Sequence, residues 1–327
     1  MTKKGTYKKE TYKKEATTFD EQISLLRKKG MTINDVNKAK EYLKDIGYYR
    51  IGFYIHPFEI TYPKVDKNRR DQVKTGTTIE DIVALYYFDS DLRHILDRYI
   101  LRIEVAIRTA IVYNLSNKYK SNPQWYVDPS VVNQNFISDF DAKAYNMIKK
   151  KPTIKRHHQK YNDSYAPAWK TMEFMTFGNI QTLYENLKLI VDKQNICRDF
   201  NEPSETAFNS YMRAIVDLRN ACAHGNVIFE IGLKYGVNKG KLNADFSTYA
   251  NTSFYAAVKA IEFILKSISV NRVKDLKREL ESVTRSIYEK VPAMKPIIEK
   301  KTGIIVRHKN DMPTYLKKKL KKMHKLK

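Results

Sequence analysis

The sequence predicts an all-α protein: a helical bundle with an N-terminal helical extension and a short irregular or β-containing excursion near 225–252. Three observations carry this. Apolar residues recur at three-and-four spacing through most of the chain, and neither Gly nor Pro falls between Gly76 and Pro123. Four glycines and several asparagines gather instead between 225 and 252. The same punctuation divides the chain into a basic arm (1–17), a helical hairpin with an aromatic cluster (18–75), a main helical domain (76–291) with a basic insertion near 145–165, and a Lys-rich tail (292–327).

In chain order, Phe19, Ile23, Leu25 and Leu26 mark a first helix. It opens on Thr18 and Asp20 and closes on the cations Arg27-Lys28-Lys29 before Gly30, the polarity that the helix dipole favours. Val36, Ala39, Tyr42, Leu43 and Ile46 mark a second, entered at Asn34 or Asp35 and stopped at Gly47. Tyr48-Tyr49-Arg50-Ile51-Gly52-Phe53-Tyr54 is too short and too Gly-broken for a long helix. It reads either as an aromatic knot closing a core or as rings that stack on RNA bases.

The longest helix starts at Thr78 and Asp81, a capping pair, and its buried stripe runs from Ile82 to Tyr113. Glu104 sits at the border of that stripe, with Arg108 one turn on as its natural i,i+4 partner. A moderately patterned stretch follows near 135–149. Pro167-Ala168-Trp169 opens another helix, whose Trp169, Met172, Phe174, Met175 and Phe177 are expected in the core. After Pro203, Phe208, Tyr211, Met212, Ile215, Val216 and Leu218 form the buried face of a helix that ends at His224-Gly225. Two more helices, about 254–269 and 273–291, close the fold.

Composition bounds the function classes. The chain has 327 residues, 42% of them apolar, which suits a folded protein with a large core. Cys197 and Cys222 cannot form a disulfide framework, no secretory segment opens the chain, and no stretch approaches the ~20 apolar residues of a membrane span. A cytoplasmic protein without membrane association is expected. The net charge of +24 points to a polyanion as partner. Residues 1–15 carry +4 and residues 307–327 carry +8, so half the excess lies in the two ends. Inside the body, Lys149, Lys150, Lys151, Lys155 and Arg156 form a basic segment, and Lys317, Lys318 and Lys319 do the same in the tail. These are the candidate RNA contacts, together with Arg108. His157 and His158 are neighbours that diverge on a helix and lack an acidic or thiol companion, so no metal site is expected.

The candidate chemistry gathers at Asp217-Leu218-Arg219-Asn220-Ala221-Cys222-Ala223-His224-Gly225-Asn226. Asn220 and His224, four apart, lie about 40° from one another on a helix, whereas Arg219 and His224, five apart, diverge by about 140°. Either the helix end bends to unite them, or the working site borrows groups from elsewhere.

Arg219-x4-His224 resembles the signature of HEPN-type ribonuclease domains, and its surroundings are similar to the Abi-like (AbiD/AbiF-type) abortive-infection proteins. The similar blocks are Phe19-Asp20-Glu21-Gln22-Ile23 with Leu26 and Gly30, Ile46-Gly47-Tyr48-Tyr49-Arg50, Ile103-Glu104-Val105-Ala106-Ile107-Arg108-Thr109, Pro167-Ala168-Trp169, Phe177-Gly178, and Leu218 to His224. Relatives often place a further basic residue soon after the His, where this chain has Gly225-Asn226-Val227-Ile228.

The resemblance implies a HEPN-like bundle that cuts RNA without metal or cofactor, with Arg219, His224, Asn220 and Glu104 as catalytic residues. It also implies a homodimer, because the motif occurs once, and a structured non-coding RNA as partner in phage defence. His224 would move protons and Arg219 would stabilise the phosphorane. Two other readings stay open at this stage: an inert RNA-binding scaffold, and a toxin-partner or protein-interaction module.

Overall fold

The computed structural model describes residues 15–306. Most of the basic arm and most of the Lys-rich tail, including Lys317, Lys318 and Lys319, lie outside the described residues. Among the described residues the fold is all-α: helices joined by turns, with isolated β-bridges and no strand. The chain divides into two compact units, one up to Tyr86 and one from Tyr87.

The first unit contains α1 (Phe19–Lys28), α2 (Val36–Ile46), α3 (Tyr48–Ile55) and the first two turns of α4 (Ile79–Lys118). Thr18 and Glu21 cap α1 reciprocally, so two amides that the helix start would orphan are bonded. Asp35 caps α2 at 3.0 Å from the Lys38 amide. The aromatic run is the helix α3: Ile51, Tyr54 and Ile55 face inward, while Tyr49 and Phe53 stay exposed and pack edge to face on one another. Among its described residues the unit buries one carboxylate. Glu59 accepts a two-pronged contact from Arg69 (2.8 and 2.7 Å) and a third bond from His56. Burial raises the Glu59 carboxyl, but the Arg69 and His56 bonds outweigh it and hold the group below its ordinary range.

The second unit carries the rest of α4, then α5 (Gln134–Phe140), which passes through a π-helical turn (141–145) into the short α6 (Asn146–Ile148). Next come α7 (Pro152–Lys160), α8 (Ala168–Thr171), α9 (Phe177–Glu185) and α10 (Ile190–Arg198). The unit ends with α11 (Glu205–Ala223), α12 (Phe254–Ile268), α13 (Val270–Lys290) and α14 (Lys295–Thr302). Helix α11 is central, packed on α9, α10 and α12, and α12 in turn packs on α13. Its inward side is Phe208, Tyr211, Met212, Ile215 and Leu218, all fully buried, with Ala207, Ala214 and Ala221 allowing close approach. At about 1.5–3 kcal/mol for each large apolar side chain taken from water, this stripe holds α11 in place.

Two expectations are corrected. The run from Ala168 to Phe177 does not form one helix: Met175 is extended and the Thr176 hydroxyl accepts from the Asn179 amide, so α9 begins afresh after a break. A mid-run Thr acted as a cap, and apolar spacing on both sides of it had masked the interruption. Trp169 is not core, since 52% of its surface is exposed while Met172, Met175 and Phe177 are buried. The excursion after α11 is irregular rather than stranded. It is fixed by the Gly232–Ser253 bridge and by Leu233 and Val237 amides donating to Thr252 and Asn251 carbonyls.

Candidate active site

Helix α11 stays regular to its last turn. The His224 amide still donates to the Asn220 carbonyl at 3.0 Å, so His224 keeps helical register. Gly225 then turns left-handed (φ 66°), its amide reaches the Cys222 carbonyl, and the Asn226 amide reaches Ala221 at 2.9 Å. This is a Schellman ending, and its left-handed position is the one that glycine fills without strain. Because the helix does not bend, the divergence of Arg219 from His224 at the backbone stands.

The site side chains are accessible. Arg219 is half-buried and Asn220 and His224 are exposed. The Arg219 guanidinium donates to Asn220 Oδ1 at 3.3 Å, a weak contact between sequence neighbours. Among the described residues the His224 ring bonds to nothing, so the cap is made by its backbone alone. Cys222, within the same turn, is no nucleophile: burial, followed by the charges of Asp97 and Asp89, pushes its thiol up to about 12.

What fixes the position of this helix end is a pair that the sequence reading did not single out. Asp89 and Arg93, one turn apart on α4, form a buried ion pair. Asp89 Oδ1 accepts the Ile228 and Phe229 amides at 3.0 and 2.8 Å, and Arg93 donates to the Asn226 carbonyl at 3.0 Å. The chain leaving the motif is therefore clamped to α4 at three backbone groups. The signal was present as an acid and an arginine four apart inside an apolar stripe, the same pattern as Glu104 and Arg108.

That second pair is buried too. Arg108 Nη2 donates to Glu104 Oε1 at 2.8 Å and to the Met175 carbonyl at 3.2 Å. Glu104 Oε2 and Arg108 Nε are buried without a hydrogen-bond partner among the described residues. The bonds of Glu104 go to Arg108, and those of Arg219 and His224 do not reach it. Arg108 is 9% exposed, so in this structure it serves Glu104 and the α8–α9 junction rather than the surface.

The interior basic segment is laid out in the opposite way. Lys149, Lys150, Lys151, Lys155 and Arg156 are all exposed, and none has a carboxylate within salt-bridge reach among the described residues. Lys149 lies 5.0 Å from the Tyr145 ring centroid and Lys151 lies 5.9 Å from that of Phe174. Exposed Tyr161 and Trp169 belong to the adjoining segment. No group of three or more His, Cys, Asp or Glu among the described residues is arranged to hold a metal ion, and none of their helices is long and apolar enough to cross a membrane.

No curated protein and no solved structure matches the chain. The Abi-like protein family matches residues 41–230, a span that runs from within α2 through Asp89, Arg93, Glu104 and Arg108 to the end of α11 and the segment clamped behind it. With more than half of its residues aligned to that family, including every group that builds the site at the end of α11, the chain belongs to the Abi-like proteins.

Proposed function

We propose that this Abi-like protein acts in abortive infection as a HEPN-type, metal-independent endoribonuclease. The observation that carries the reading is the free state of the motif side chains. Arg219, Asn220 and His224 lie accessible on the last turns of a rigidly clamped helix, and the His224 ring has no structural duty among the described residues. A purely structural motif would spend those groups on the fold.

The chemistry is transesterification within RNA. A base takes the proton of a 2′-OH, the 2′-oxygen bonds to the adjacent phosphorus, and the bond to the 5′-oxygen breaks as that oxygen is protonated. The products are a 2′,3′-cyclic phosphate and a 5′-OH end. His224 is the proton carrier, because imidazole changes charge near neutral pH. Arg219 stabilises the negative charge that grows on the phosphorane, and Asn220, on the His224 side of the helix, orients ring or phosphate. Glu104 holds Arg108 and the α8–α9 junction as a positioning group. Since Arg219 and His224 diverge on an undistorted helix, a second protomer completes the site. Leu101, Val105 and Tyr113, exposed along the α4 segment that carries Glu104, supply apolar surface for that homodimer. The exposed cations from Lys149 to Arg156 hold the RNA, whether substrate or a cognate structured non-coding RNA.

Incubation of total RNA with the purified protein in EDTA tests this. Wild type should produce cyclic-phosphate ends, and Arg219→Ala and His224→Ala should each slow cleavage by at least about a hundredfold. Unchanged cleavage in both variants would overturn the assignment. A second reading, an RNA-binding scaffold with an inert motif, is favoured by the unpaired basic segment. It predicts RNA binding without cleavage by wild type.

A further inference from the structure

A cavity of about 370 Å³ opens in the C-terminal unit between α12, α13 and the loop around Lys241, and none of the candidate active-site residues lines it. Four lysines line it: Lys241, Lys259, Lys266 and Lys277. They face a single lining carboxylate, Glu262, whose Oε2 is shared between Lys259 at 3.1 Å and Lys277 at 3.3 Å. Lys241 and Lys266 have no carboxylate partner among the described residues. The cavity thus holds an excess of positive charge, and two of its ammonium groups can offer all their donors to an anion.

The remaining lining is of a different kind. Phe263, Val270 and Val273 form an apolar wall, and Asn201, Asn243 and Ser267 bring amide and hydroxyl groups to the same space. Asn201 and Ser267 are already bonded at 3.2 Å, and Ser267 donates to the Phe200 carbonyl, so this edge is held in place. The wall is held too, with Phe263 packed edge to face on the buried Tyr211 ring at 5.6 Å.

The loop that delivers Lys241 is anchored to a buried carboxylate. Its amide donates at 2.9 Å to Oε2 of Glu202, a carboxylate only 1% exposed, and the same oxygen accepts the Tyr211 hydroxyl. Gly240 has φ 44°, and a Cβ there would stand 2.2 Å from the Tyr211 oxygen and 2.6 Å from Glu202. Only glycine lets the turn approach the buried acid so closely. The backbone at Lys241 is therefore set before any ligand arrives, and only its side chain remains to be ordered on binding.

We propose that this cavity binds a nucleoside phosphate, either free or as the terminal nucleotide of an RNA. The phosphate lies on Lys241 and Lys266, and the base lies on the wall of Phe263, Val270 and Val273. The volume is that of a small-molecule site rather than of a peptide groove. Lysine meets phosphate as a compact charge, and a flat ring with polar edges suits an apolar wall rimmed by amides. A second cavity of about 250 Å³ shares Lys259, Glu262 and Lys277 with the first but adds Glu281, so the anion belongs on the Lys241–Lys266 side.

Calorimetric titration of the full chain tests the proposal. The probes are the four 5′-mononucleotides, inorganic phosphate, and a short RNA with either a 5′-phosphate or a 5′-hydroxyl. At least one mononucleotide, or the 5′-phosphorylated RNA alone, should bind saturably and far more tightly than inorganic phosphate. The first result assigns the free ligand and the second the RNA end. Lys241→Ala and Lys266→Ala should each weaken that binding about tenfold or more, while Lys44→Ala, at an exposed position on α2, leaves it unchanged. Repeating the titration in Arg219→Ala protein separates this site from cleavage, because binding should persist there whether or not the motif is a nuclease. Equal binding of phosphate and nucleotide, no saturable binding, or indifference to both lysine substitutions would overturn it.

Discussion

At the scale of single residues, two acid–arginine pairs on α4 share a sequence pattern but differ in what they hold. Asp89 satisfies two buried amides behind the motif and neutralises Arg93, whereas Glu104 and Arg108 bond chiefly to one another and to the Met175 carbonyl. Removing one member of a buried pair leaves the other charged and uncompensated, a cost of about 3–5 kcal/mol. Asp89→Ala also orphans the Ile228 and Phe229 amides. It should therefore lower stability by at least about 3 kcal/mol, read as a fall in the urea midpoint at constant slope. Arg219→Ala, at a half-exposed position with one weak contact, should change it by no more than about 0.5 kcal/mol. The pairing of Glu104 with Arg108 was readable from their spacing of four. Asp89 and Arg93 share that spacing, but the bonds of Asp89 to backbone amides about 140 residues later leave no local trace in the sequence.

At the scale of elements, α7 combines an exposed basic face with a buried histidine. His157 is 5% exposed, its ring lies 4.9 Å from that of Tyr161, and both of its nitrogens lack a hydrogen-bond partner among the described residues. Burial, followed by the nearby charges of Lys170 and His158, lowers its pKa from the model-peptide value of 6.5. Above that pH both folded and unfolded chains hold the ring neutral, and no stability depends on it. As the pH falls below it the unfolded chain takes up the proton first, so stability declines with acid until the folded pKa is passed. Thermal unfolding of wild type between pH 8 and pH 5 should lose more than that of His157→Phe, which keeps the ring packing and cannot titrate. Identical losses would dissociate the acid response from this residue. Helices such as α1, α2, α4 and α11 were legible because their caps and apolar spacing agree. The break at Thr176 and the exposure of Trp169 were not, since apolar spacing alone cannot distinguish a core side chain from one on a surface that serves another purpose.

At the scale of the whole molecule, the net charge of +24 is the property that the candidate site does not explain. Its lysines fall into two kinds. In the first unit Lys29, Lys38 and Lys40 are each paired with a carboxylate, Asp71, Glu41 and Asp20, at 2.6–2.7 Å. In the second unit Lys149, Lys150 and Lys155 stand exposed with no such partner among the described residues. Binding to single-stranded RNA releases counterions in proportion to the phosphates neutralised, at about 0.7 in the slope of log affinity against log salt for each. A paired lysine has its charge already compensated and contributes little to that release. The substitution of Lys149, Lys150 and Lys155 together by Ala should therefore flatten the slope by about 2, measured by fluorescence anisotropy over a salt series. Replacing Lys29, Lys38 and Lys40, which removes the same charge, should leave the slope nearly unchanged. Equal flattening by both sets would mean that RNA responds to total charge, and the contact assigned to the α7 segment would fall.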